Sequence, residues 1–82
     1  MKEKVAVVQS IVKGKHGDYV VTTSDKIKGS ITFSLRKEVW QEKGNPELGV
    51  RVVLSELRKK RGGWYACKAR FFRPEDEEEE NS

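Results

Sequence analysis

Apolar and polar residues along this chain alternate mostly with a period of two, so the pattern predicts strands. The cleanest stretch is 30–35: Ile31, Phe33 and Leu35 point one way, and Ser30, Thr32 and Ser34 the other. Residues 4–13 make a first strand rich in Val and Ile. Val5, Val7, Val8, Ile11 and Val12 do not alternate regularly, which predicts two partly covered faces or a bulge near Gln9 and Ser10. Residues 14–18 hold two glycines and form a turn, and 19–23 make the second strand of a hairpin. A polar connection over 24–28 leads to the clean strand at 30–35. Residues 36–42, with Val39 and Trp40 in a charged setting, predict one or two helical turns with Ser34 as a possible N-cap. Gly44 and Pro46 end that segment. A fourth strand runs over 50–57, a basic hairpin loop over 58–63, and a fifth strand over 64–72. Pro74 stops it.

Five strands with a short helix between the third and fourth predict an all-β fold. The compact form is a small five-stranded Greek-key barrel, the OB-fold. An SH3-like barrel is the rival; the tight Gly62-Gly63 hairpin before the last strand favours the OB arrangement.

Composition sharpens this picture. The chain has 82 residues, enough for one hydrophobic core. All 17 basic residues but only seven of the 13 acidic ones fall within 1–73, so that part carries +10. The rest, 74–82, is an acidic tail, expected to be disordered on composition. It is either a solubilising end or a phosphate mimic that folds back on the basic barrel. No apolar run approaches the ~20 residues of a membrane span, and no signal-peptide pattern opens the chain. One cysteine, Cys67, excludes an internal disulfide, which fits a reducing, cytoplasmic setting. Cys67 and the lone His16 do not assemble a zinc site. No catalytic constellation is present, so no enzyme activity and no cofactor are expected.

Residues 29–72 resemble the cold-shock-domain branch of the OB-fold. The resemblance rests on Ser30-Ile31-Thr32-Phe33-Ser34-Leu35, on Pro46-Glu47-Leu48-Gly49-Val50-Arg51-Val52-Val53-Leu54, and on Gly63-Trp64-Tyr65-Ala66-Cys67-Lys68-Ala69. It implies an OB barrel and an RNA partner. The departures are that Thr32 and Ser34 stand where that family presents aromatics, and that Asp18 is unsuited to a phosphate path.

The residues themselves point to nucleic acid. Arg58, Lys59, Lys60 and Arg61 repel one another, and phosphates would relieve that repulsion and release counterions. If Tyr65, Cys67, Ala69 and Phe71 face the core, then Trp64, Lys68, Arg70 and Phe72 face out, and Trp64 stacks on bases. If a bulge intervenes near Ala66, Trp64 instead plugs the barrel end. Tyr19 is either a stacking residue or core, and Lys15 and His16 in the first turn are further contact candidates. The expected activity is therefore a monomeric module binding RNA, structured or ribosomal RNA included, or single-stranded DNA. The alternative is a protein-interaction module using the barrel surface, steered by the basic loop and acidic tail.

Overall fold

The computed structural model describes residues 3–76. Five strands form: β1 (Lys4–Gly14), β2 (Gly17–Ser24), β3 (Ile27–Ser34), β4 (Arg51–Lys60) and β5 (Gly63–Phe71). They close into a barrel in the order β1-β2-β3-β5-β4, with β4 returning to pair with β1. Every neighbour is antiparallel except β3 and β5, which run parallel. That crossover makes the barrel a Greek key of the OB type and not a meander.

The core follows from the alternation. Ile31, Phe33, Val52 and Leu54 are buried, together with Ala6, Val8, Val20, Ala66 and Ala69, while Thr32 and Ser34 face outward. The one buried polar side chain among the described residues, Thr22, donates its hydroxyl to the Ile31 carbonyl at 2.8 Å, so no hydrogen-bonding group is stranded there. The expected irregularity in β1 is present. Val8 pairs with Thr22 and Ser10 with Val21, leaving Gln9 as the extra residue of a bulge. Beyond it the β1–β2 hairpin projects past the barrel, so Ile11 is exposed although its partner Val20 is core.

The expected helix over 36–42 does not form. The amides of Val39 and Trp40 both donate to the Arg36 carbonyl, at 2.9 and 2.8 Å, which makes a single turn. The chain then pairs with β5: Ala69 N–H donates to Val39 O at 2.9 Å, and Gln41 N–H to Ala69 O at 3.0 Å. A helix nucleus is costly, and these long-range bonds satisfy the backbone without propagating it. The turn serves to deliver Trp40 into the barrel end. Trp40 is 5 % exposed, and its ring stacks on Phe33 at 5.6 Å and meets Phe71 edge-on at 4.9 Å. Its indole N–H donates to Gly44 O at 2.7 Å.

The basic segment is not the loop expected over 58–63. Strand β4 runs on through Arg58, Lys59 and Lys60, and only Arg61 and Gly62 form the turn. Gly62 turns the chain with a φ of 83°, a left-handed value that glycine takes without strain. Gly63 then lies so close to β3 that a Cβ there would fall 2.6 Å from Ser30 O. The parallel β3–β5 pairing starts at that contact.

Candidate nucleic-acid interface

Strand register decides which side chains share the outer surface. In one row Val12, Tyr19 and Ser34 are neighbours on β1, β2 and β3. In the next, Ser10, Val21, Thr32, Tyr65 and Arg58 line up across all five strands. Paired residues project to the same face, so Tyr19 and Tyr65 both stand on the outer surface. They are 38 % and 40 % exposed. On β3 between them lie the short side chains of Thr32 and Ser34, and with Val39 also in its lining the result is a groove of about 540 Å³. Its walls come from the first hairpin turn, including Lys15, His16 and Asp18, and from Arg36 after β3. Cys67 and Ala66 contribute on the β5 side.

Tyr65 rather than Trp64 faces outward because the side-chain phase slips along the β4–β5 hairpin. Glu56 takes a left-handed conformation, φ 55°. Leu54 and Leu57 on β4, and Ala66 and Ala69 on β5, then face inward three residues apart instead of two. Trp64 pairs with Ile31, a core residue, and packs against the core as a half-buried cover on the barrel end. Lys59 lies on that side too, its Nζ 5.5 Å from the Trp64 ring. The continuous phase that would place Tyr65 in the core and Trp64 outside does not occur. The two small residues Ala66 and Ala69, three apart, are the sequence signal that marks the slip.

The cations divide accordingly. Arg58 is directly opposite Tyr65. Lys60 has the same parity and reaches along the outer surface, where its Nζ donates to Thr32 Oγ1 at 2.9 Å. One of its three donors is thus held, and the ammonium is anchored beside Tyr65. Arg61 is exposed in the turn, and Lys15 and His16 are exposed at the groove's other end.

Arg70 is not available in the same way. Its guanidinium donates to both oxygens of Asp76 at 2.9 Å and lies 3.5 Å from Glu3. The hydrogen bond to Asp76 raises the Arg70 pKa further. The same bond, with the Arg73 amide donating at 2.7 Å, lowers the Asp76 carboxyl to about 2. Glu42 completes this cluster, accepting from the Phe71 amide at 3.1 Å and from Arg73 at 2.9 Å. Lys68, opposite Ser55, does not line the groove. Asp76, the second acid of the C-terminal run, therefore meets the barrel at Arg70, away from the groove. The acidic residues 77–80 lie outside the described residues.

Among the described residues no group of three His, Cys, Asp or Glu is placed to hold a metal ion. No helix among them is long and apolar enough to cross a membrane. Comparison with protein-family models, curated proteins and solved structures returns no match.

Proposed function

We propose that this protein is a small module that binds single-stranded nucleic acid, RNA or DNA, on the outer face of β2, β3 and β5. One observation carries the reading: two exposed tyrosines flank a groove floored by short side chains, with cations at both ends. Stacking on aromatics together with a charged path for phosphates is how sequence-tolerant single-strand binding works. Arg58 and Lys60 serve the Tyr65 end, and Lys15 and Arg36 the Tyr19 end. Trp64 contributes by holding the barrel end under the hairpin and not by stacking. The cold-shock resemblance supplies the same kind of partner, although the aromatics here stand on β2 and β5.

The test is a titration of the protein against single-stranded RNA, single-stranded DNA and duplex, repeated with Tyr65→Ala. Single strands should bind more tightly than duplex, and the variant should lose about 1–3 kcal/mol of binding while melting like the parent. Unchanged affinity in a folded Tyr65→Ala would move the partner class to protein.

A further inference from the structure

The groove has two aromatic positions, and how a strand uses them is a separate question from whether it binds. Tyr19 and Tyr65 stand on strands separated by β3, and their β3 neighbours, Ser34 and Thr32, are two residues apart. Two interstrand steps and two residues of rise put the tyrosine Cα atoms about 12 Å apart. A base sandwiched between two rings would need them to converge. Here each tyrosine instead has its own setting. Tyr65 sits between Thr32 and Arg58 with the Lys60 ammonium pinned alongside. Tyr19 sits between Val12 and Ser34, near Lys15 and Arg36.

We infer that Tyr19 and Tyr65 hold two different bases of one strand, with the intervening backbone laid across Thr32 and Ser34. This rests on the single-strand function proposed for the groove and specifies its ligand. At the ~3.4 Å rise of stacked nucleotides about four steps cover the span, and an unstacked strand covers it in fewer. The smallest complete ligand is therefore an oligonucleotide of about two to five residues, and a mononucleotide fills one position only. The short Thr and Ser side chains leave the backbone room to cross, and both hydroxyls already have internal partners. Thr32 Oγ1 accepts from Lys60 and Ser34 Oγ accepts from the Arg36 amide at 3.1 Å. The crossing segment is thus held by shape and charge, with the Ser34 O–H left to donate one hydrogen bond to it.

The experiment is a length series of oligothymidylates, from mononucleotide to octanucleotide, at one salt concentration. It is run on the parent protein and on Tyr19→Ala, Tyr65→Ala and the double variant. Tyr19→Phe and Tyr65→Phe serve as controls that keep the ring, and melting curves confirm folding. Affinity should rise steeply until both positions are spanned and then level off. On the octanucleotide each Ala variant should weaken binding about 5- to 150-fold, and the double variant by the product of the two factors. On the mononucleotide the two substitutions should not both register. If the mononucleotide senses both tyrosines, or the double variant binds no worse than the weaker single one, one base is clamped and the inference is wrong. If no oligonucleotide binds the parent at any length, the single-strand function itself falls, and this inference with it.

Discussion

At the scale of single residues, the pairing of Asp76 with Arg70 fixes the chain just beyond β5. A carboxyl held at about 2, below its ordinary 3.8, stabilises the fold only while it is ionised. Its contribution is complete above about pH 4 and is lost as pH falls through about 2. Asp76→Asn should therefore lower stability at neutral pH by about 1 kcal/mol, a modest figure because solvent screens a partly exposed pair. Denaturant unfolding of parent and variant should show the gap closing as pH falls from about 4 to about 2. A gap that persists at the acid end would assign the effect to packing and not to charge. Arg70 also shows what charge counting misses. It counts toward the +10 of residues 1–73, yet its guanidinium is already taken by carboxylates.

At the scale of elements, the two tryptophans are closures. Trp40 fills the barrel end beside Phe33 and Phe71, and Trp64 covers the core beneath the β4–β5 hairpin. Trp64→Ala should cost about 3 kcal/mol, the lower end for aromatic truncation because the ring is half-buried. The melting midpoint should then drop by roughly 12–24 °C, while the folded fraction should bind single strands as the parent does. A Trp64→Ala protein that melts normally and binds weakly would return Trp64 to the interface. Strand β3 is legible in the sequence because one face meets the core, the other meets solvent, and no irregularity interrupts it. The bulge at Gln9 is legible because Val8 and Ile11 break the alternation. The exchange of Trp64 and Tyr65 is legible only as one of two readings, because it goes with the backbone turn of Glu56 on the partner strand. Ala66 and Ala69, three apart, admit the bulge that puts Trp64 over the barrel end but do not select it over a continuous phase. The extension of β4 through Lys60 is hidden for a different reason. A hairpin that projects into solvent needs no apolar alternation, so a strand with three consecutive basic residues reads as a loop. The missing helix belongs with these cases: Val39 and Trp40 take their conformation from pairing with Ala69, 29 residues beyond Trp40.

At the scale of the whole molecule, the proposed function makes charge and groove act together. A strand crossing between the tyrosines would meet Arg58 and Lys60 at one end and Lys15 and Arg36 at the other. Replacing Arg58 and Lys60 by Ala should flatten the dependence of log affinity on log salt by about 0.7 for each phosphate no longer neutralised. Affinity measured over a salt series checks this, and an unchanged slope would place the phosphates elsewhere. The barrel's connectivity has a further bearing on binding. Strands β1, β2 and β3 pair in sequence as a meander, and β4 and β5 pair as a separate hairpin. The β3–β5 and β1–β4 ladders join the two, and these long-range pairings carry the larger loop-closure cost. Tyr19 belongs to the meander and Tyr65 to the hairpin. The groove between Tyr19 and Tyr65 thus exists only when the two halves have docked, and the hairpin carrying Tyr65 loses its alignment whenever that seam opens. On the function proposed above, a nucleic-acid strand lying from one tyrosine to the other would cross the seam like a suture. By mass action it would favour the closed barrel over every state in which the halves have parted, making ligand occupancy and completion of the fold one equilibrium.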